Sequence, residues 1–530
     1  MDITKTGIEG LDEIFLGGIP STNNILVQGG TGTGKTLMGV EFIYRGITKY
    51  GQPGIIVVFE TSPSKLIRDA ALFGWDLEEL ISQKKLKIIF TSPEVLEREL
   101  RSPHSLLLET ATEMGAERLF VDGIGMLEPL LSPSSNGKPA DQAGAPESYR
   151  GLLQQLLEAL ARANLTCMLS HEIGQASESL SFETAGFLCD TVIELSNDHF
   201  GRRVHRSLEI VKSRGQNYVA GKHTLRITGG RGLEVFRRVQ APVSQDLEQP
   251  TSIAKRSLIG VKAVDDLIGG GLFDGSTTMV VGISGAGKTV LGTQVLLEGV
   301  LKEGKRGLLI SLDEHPAQIV RNAATLGLDL KTHIDSGMIR ILYESPQELE
   351  VDAHFASIVR MIEEHNIQRL VIDGVTSYST ALDSQRSYRD FFHALVSYSK
   401  YHLMTTFFAY ENPELFGLSS YMPEFPVSSI VDNIIVLSLV ELGNSVRRCI
   451  AVVKARGCKH QFETREFTIG SGGISLLPLD RTKGPAPRAI ESYSSLLSRA
   501  PTRDSLDRGG ARRPSPRRSL QPNRSLQPNT

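Results

Sequence analysis

The chain has 530 residues, 40% hydrophobic and 22% charged, with a formal net charge of −3. This length exceeds what one hydrophobic core covers, so two or three domains are expected, and the composition is that of a globular protein. No apolar run approaches the roughly 20 residues that cross a bilayer. The opening MDITKTGIEG lacks the basic-then-apolar pattern of a secretory signal, and the four cysteines form no CxxC pair and no metal-ligand spacing. Reduced thiols, a cytoplasmic location and no membrane contact are therefore expected.

Read in chain order, the elements alternate. NILVQGG is a short β-branched run that ends in glycine and leads into the helix-like TLMGVEFIYRGI. IIVVFE, LFVDG and TCMLS follow as further apolar runs of strand length. TMVVGIS, TVLGTQVLLEGV, GLLISLDE, LVIDG and MTTFFAY then repeat the series. Continuous apolar strands between amphipathic helices predict an α/β fold: a mainly parallel, twisted sheet covered by helices on both faces, present twice. Ligands of such sheets sit at the carboxyl ends of the strands.

The repeat is explicit. TGIEGLDEIFLGGIP (Thr6–Pro20) aligns with IGVKAVDDLIGGGLF (Ile259–Phe273), GGTGTGKT with GISGAGKT, and FGWDL with LGLDL, all at an offset of 253. RLFVDG aligns with RLVIDG at 251, and VKSRG with VKARG at 242. A fixed offset that drifts only by small deletions marks tandem duplication. The expected organisation is a first domain over 1–240, a linker over 241–255, a second domain over 256–480 and a tail over 481–530. The tail holds 11 Lys and Arg against 3 Asp and Glu, a net of +8, which leaves −11 for the preceding residues. It is poor in large apolar residues and repeats RSLQPN, so it is expected to be disordered. An acidic body argues against nucleic acid as the main partner.

GxxxxGK[ST] occurs in both copies, as Gly29, Gly30, Thr31, Gly32, Thr33, Gly34, Lys35, Thr36 and as Gly282, Ile283, Ser284, Gly285, Ala286, Gly287, Lys288, Thr289. The glycines let backbone N–H groups curl around phosphate oxygens. Lys35 and Lys288 would reach the β- and γ-phosphates of ATP, and Thr36 and Thr289 would ligate Mg2+. Asp122 and Asp373 each end an apolar strand and suit the second Mg2+-side carboxylate. Glu60 in the first copy, and Asp313 with Glu314 in the second, follow the strand after the loop helix. They are candidates for polarising the attacking group. Thr61 stands where the second copy has its second acid.

These motifs resemble the KaiC family of circadian-clock ATPases, which are built from two RecA-like domains. TGIEGLDEIFLGG, GGTGTGKT, VVFETSP, FGWDL and KSRG are similar to the first KaiC domain. GGGL, GISGAGKT, SLDEHP, VIDG and KARG are similar to the second. The resemblance covers about residues 3–480 and implies a double-ring homohexamer with ATP at the subunit interfaces. Lys212 and Arg214, and Lys454 and Arg456, match the residues that reach the neighbouring subunit's nucleotide. Cations supplied in this way neutralise charge developing on the transferred phosphoryl group.

The resemblance also implies a phosphoacceptor pair three and four residues ahead of an aspartate in the second domain. Ser428 and Ser429 precede Asp432 at that spacing, and Pro423 stands where clock members carry a further hydroxyl. The matched positions in the first copy are Gly186 and Phe187, which offer no hydroxyl. Hydrolysis in the first copy and self-phosphorylation on serine in the second are expected. Two other functions stay open: a RecA-type DNA-dependent ATPase, and a nucleotide-dependent hexameric scaffold without kinase activity. The loop Ser132–Ser148, with one Lys against Asp141 and Glu147, is a poor partner for phosphates. The family's tail recruits a regulator, but this tail has a different pattern, so regulatory partners are not named.

Overall fold

A computed structural model describes residues 2–101, 105–127, 149–173, 180–200, 203–241, 255–382, 384–412, 429–442 and 445–478. The polar loop Ser132–Ser148, Pro423, Ser428 and the tail lie outside the described residues, as does the linker from 242 to 254.

Two nine-stranded sheets have the same topology. In the first, strands run across the sheet in the order Gly232–Phe236, Lys222–Thr228, Arg203–Ser213, Thr191–Phe200, Asn24–Gly29, Thr166–Glu172, Arg118–Asp122, Gly54–Val58, Leu86–Phe90. The six strands from Thr191–Phe200 onward are parallel, and the other three pair antiparallel. The second sheet repeats this with Gly473–Leu476, Thr464–Gly470, Ser445–Ala455, Asn433–Leu442, Thr277–Gly282, Thr405–Glu411, Arg369–Asp373, Gly307–Ser311 and Ile339–Tyr343. The predicted mainly parallel sheets are thus present. The antiparallel edge was not expected, because its strands mix charged and apolar residues and carry no long apolar run.

Every residue of the central strands Asn24–Gly29 and Thr277–Gly282 is buried. Helices cover both faces of each sheet, so each copy has two apolar clusters, one per face. Each Val, Leu or Ile buried there contributes on the order of 1.5–3 kcal/mol.

The 16-residue helices Lys35–Tyr50 and Lys288–Glu303 start directly at the phosphate loops. Both cross their sheets at a glycine. A Cβ on Gly39 would lie 2.1 Å from the Phe120 ring, and one on Gly292 would lie 2.8 Å from Val371. The close crossing keeps the helix start against the strand end. Beneath each helix a fully buried arginine ties it to the sheet. Arg118 donates to the carbonyls of Phe42 and Lys5 and to Gln52, while Arg369 donates to the carbonyls of Val295 and Leu258 and to Glu303. Buried charge is tolerated only with such partners.

The two halves touch through the start of the second-half helix Val351–His365. Asp352 accepts from the Thr224 hydroxyl at 2.8 Å and from the Val239 amide at 3.0 Å, and Glu350 accepts from Arg226 at 2.8 Å. Cys167, Cys189 and Cys449 are buried free thiols. No helix among the described residues is long and apolar enough to cross a membrane.

Candidate functional site

Each phosphate loop joins the carboxyl end of the central strand to the N-terminus of its helix. Gly34 and Gly287 cap these helices at φ 107° and 108°, a conformation open to glycine and costly for other residues. Neither helix has a side-chain cap or an acid in its first turn. The helices Leu77–Ser82 and Gln385–Tyr401, by contrast, are capped by Asp76 and Ser384. First-turn amides without a side-chain acceptor, at the positive end of a 16-residue helix, suit a phosphate.

Lys35 Nζ lies over its loop, 2.9 and 2.7 Å from the carbonyls of Gly29 and Gly30. Lys288 Nζ does the same, 2.9 and 2.8 Å from those of Gly282 and Ile283. Burial lowers the pKa of both ammonium groups, and neighbouring carboxylates oppose that shift. A polyphosphate at the loop would oppose it further.

The structure brings Thr36 to Asp122, with the hydroxyl 3.1 and 3.0 Å from the two carboxylate oxygens. Thr289 donates to Asp373 at 2.6 Å. A hydroxyl and a carboxylate side by side at the loop form a hard oxygen-donor set that fits Mg2+. The two aspartates differ in setting. Asp122 also accepts from Ser170 at 2.6 Å, whereas Asp373 has Ala409 as its register partner on the neighbouring strand. Burial, with Glu314 and Asp313 nearby, raises Asp373 to about 6.

Glu60 is exposed two residues beyond its strand. Asp313 accepts from the Ser377 hydroxyl, and a Cβ on Gly374 would lie 2.4 Å from Asp313 Oδ2. Ser377 and Gly374 therefore confine this carboxylate beside the Asp373 strand end. Glu314 Oε2 is buried without a hydrogen-bond partner.

The remaining predicted residues lie at the opposite edge of each sheet. Asp190 accepts from the Asn24 amide, and Asp432 from the Thr277 amide, both at the amino end of the central strand. Lys212 donates to the Gly186 carbonyl at 2.8 Å, and Arg214 donates to that of Phe187 at 3.0 Å. In the second copy Lys454 donates to the Val431 carbonyl at 2.7 Å and Arg456 to that of Ser429 at 3.0 Å. A six-residue strand spans roughly 20 Å, so these cations stand about that far from the phosphate loop of their own copy.

A β-bulge aims them. Val192 pairs with Lys212 and Ile193 with Ile210, which leaves Val211 unopposed, and Ile434 and Ile435 skip Val453 in the same way. One extra residue turns the following side chains to the other face. Periodicity in the sequence does not reveal it.

Two further acids went unread in the sequence. Glu172 ends Thr166–Glu172 opposite Gly29, and Glu411 ends Thr405–Glu411 opposite Gly282. Thr31 donates to Glu172, and Lys288 Nζ is 3.9 Å from Glu411. The available signal was that TCMLSHE and TTFFAYE both finish in Glu.

Two matched RecA-like sheets, each carrying a phosphate loop and a threonine–aspartate pair, define a tandem P-loop nucleotide-binding ATPase. The family model described as "ATPase: KaiC" matches residues 4–240 and again 258–481. The chain belongs to the KaiC family. It is similar to the "Circadian clock oscillator protein KaiC" of Picosynechococcus sp., 31% identical over 505 residues covering 95% of this chain and 93% of that protein. It is also 31% identical to "Circadian clock oscillator protein KaiC 1" of Synechocystis sp., over 95% of this chain and 92% of that one. The KaiC of Parathermosynechococcus lividus is 31% identical over 511 residues, covering 95% of this chain and 88% of its own.

Proposed function

We propose that this protein binds ATP with Mg2+ in both copies, hydrolyses it, and phosphorylates itself on serine in the second copy, as a cytoplasmic homohexamer. The observation that carries this reading is the division of each site between the two edges of one sheet. Lys35 and Thr36 lie at the carboxyl edge and Lys212 and Arg214 at the amino edge, with the strand Asn24–Gly29 between them. One chain does not bring both halves to one nucleotide. Adjacent chains in a head-to-tail ring do, through a heterologous interface whose rotation closes the ring.

In this reading Lys35 and Lys288 hold the β- and γ-phosphates, while Thr36 with Asp122, and Thr289 with Asp373, hold the metal. When bound, Mg2+ supplies charge neutralisation on the phosphate oxygens. Lys212, Arg214, Lys454 and Arg456 act on the neighbour's nucleotide.

Of the positions matched to the serine pair, the second copy's carry hydroxyls and the first copy's, Gly186 and Phe187, do not. Ser429 is exposed, at the position matched by Phe187 in the first copy, and Arg456 and Arg214 bond the backbone carbonyls of those two residues alike. The oxygen of Ser428 or Ser429 attacks the γ-phosphorus of the neighbour's ATP. An O–P bond forms and the bond to the bridging oxygen of ADP breaks. The hydroxyl proton passes to Asp313 or Glu314. In the first copy Glu60 orients water for the same displacement.

Phosphosite mass spectrometry after incubation with Mg-ATP, beside Lys288→Ala, tests the reading. Phosphate on Ser428 or Ser429 that disappears in the variant is expected. ADP release with both serines unmodified would remove the kinase and leave an ATPase.

A further inference from the structure

Glu172 and Glu411 occupy one position in the two sheets. Each ends the strand beside the central strand, in register with the first glycine of the phosphate loop, Gly29 or Gly282. Each carboxylate faces its loop: Thr31 donates to Glu172 Oε1, and Glu411 Oε2 is 3.9 Å from Lys288 Nζ. Among the influences on Lys35 and Lys288 that favour the ammonium form, Glu172 and Glu411 are the largest, ahead of Asp122 and Asp373.

A negative charge at this place works against a polyanion. The metal-side aspartates share a divalent cation with the phosphates, so their charge is neutralised. Glu172 and Glu411 stand on the lysine side, where the compensating charge is one ammonium. That ammonium meets different demands from two nucleotides. With a diphosphate it keeps the carboxylate as a partner. With a triphosphate the γ-phosphate adds negative charge next to the same carboxylate, and like charges at such separations repel. The acid therefore weighs against the triphosphate and in favour of the diphosphate.

We propose that Glu172 and Glu411 are specificity-determining residues that set the ADP-to-ATP preference of the two phosphate loops through the counter-charge they present to Lys35 and Lys288. The proposal rests on the assignment of these lysines to the nucleotide phosphates. Its consequence is that product ADP is retained in both copies and turnover is slowed at product release.

The test uses full-length protein. Glu411→Gln is made on a Lys35→Ala background so that the second loop is read alone, and Glu172→Gln on Lys288→Ala for the first. Competition binding with Mg-ADP and a non-hydrolysable ATP analogue gives an affinity ratio for each. Each Gln variant is expected to shift that ratio about tenfold toward the analogue, about 1.4 kcal/mol. Glu411 is partly exposed, and solvent screening sets the modest size. Glu411→Asp keeps the charge and is expected to stay closer to the original ratio than Gln does. An unchanged ratio, or equal weakening for both nucleotides in Gln and Asp alike, would overturn the proposal. The double variant Lys35→Ala, Lys288→Ala separates the two levels: if it binds nucleotide as the unaltered chain does, the phosphate-site assignment itself fails.

Discussion

The guanidinium of Arg456 donates to the backbone carbonyl of Ser429 at 3.0 Å, and it also lies 3.5 Å from the Asp432 carboxylate. The first copy repeats both contacts, from Arg214 to Phe187 at 3.0 Å and to Asp190 at 3.7 Å. The arginine thus fixes the backbone at the candidate acceptor position while it remains at the receiving edge of the sheet. In the proposed head-to-tail ring, a residue in that place serves a nucleotide held by the neighbouring chain.

Subunit mixing follows directly. Arg456→Ala and Lys288→Ala are each expected to abolish serine phosphorylation when assayed alone. A mixture of the two, assembled together, is expected to regain part of it. Some interfaces then combine an intact Lys288 loop with an intact Arg456 edge. Phosphate incorporation in the mixture is the readout, and none above the separate variants would exclude a site shared between chains.

Ser377 donates to Asp313, and the matched first-copy position is Met126. Ser377→Ala is expected to lower the rate of serine phosphorylation roughly three- to tenfold, because a misplaced carboxylate costs orientation. Ser377→Thr keeps the hydroxyl and is expected to retain most of the rate. Nucleotide affinity, measured in parallel, should change little in either. An equal loss of affinity and rate in Ala would mean that the loop, and not the carboxylate, had moved.

Gly39→Ala is expected to destabilise the first half despite Ala's advantage of about 1 kcal/mol in helices. The new Cβ would stand 2.1 Å from the ring of Phe120, which is fully buried. Overpacking of this kind costs about 1–3 kcal/mol or more. Thermal melting of the variant tests the sign: a raised midpoint would mean that the helix moves away from the sheet freely.

Asp265 accepts from the Ile259 amide at 2.8 Å inside the entry turn of the second half, and burial raises its pKa to about 6. The folded form therefore holds a proton more tightly than the unfolded chain, whose carboxyl titrates near the ordinary aspartate value of 3.8. Its stabilising contribution is fully present below that value and is lost as pH rises through about 6. Relative to Asp265→Asn, the unaltered chain is expected to lose about 2 kcal/mol between pH 4 and pH 7. Urea unfolding at the two pH values measures the difference, and a pH-independent difference would contradict the raised pKa.

Much of this molecule was legible in its residues. The apolar runs named the parallel strands, GxxxxGK[ST] named the loops, and the fixed offsets joined Asp122 to Asp373 and Lys212 to Lys454. These signals are local or periodic, so they survive in one dimension. Glu172 and Glu411 escaped because one acid at a strand end is also a common turn or cap residue. Their meaning comes from the strand that runs beside the central one, and that neighbour is set by crossover order.

The sequence by itself determined which motifs exist and how often: two GxxxxGK[ST] loops, two strand-end aspartates, Asp122 and Asp373, and the Ser428–Ser429 pair in the second copy where the first has Gly186 and Phe187. Residue type and spacing suffice for that, because each loop and each strand end is a contiguous segment. Only the tertiary structure decided where the parts meet. The parallel sheet places Lys288 at one end of Thr277–Gly282 and Arg456 at the other. The bulges at Val211 and Val453 turn the cations onto the carbonyls of residues 186, 187, 429 and 431. Strand direction and pairing register are long-range properties, so the placement of Lys288 and Arg456 at opposite ends of one strand appears only after the chain has folded.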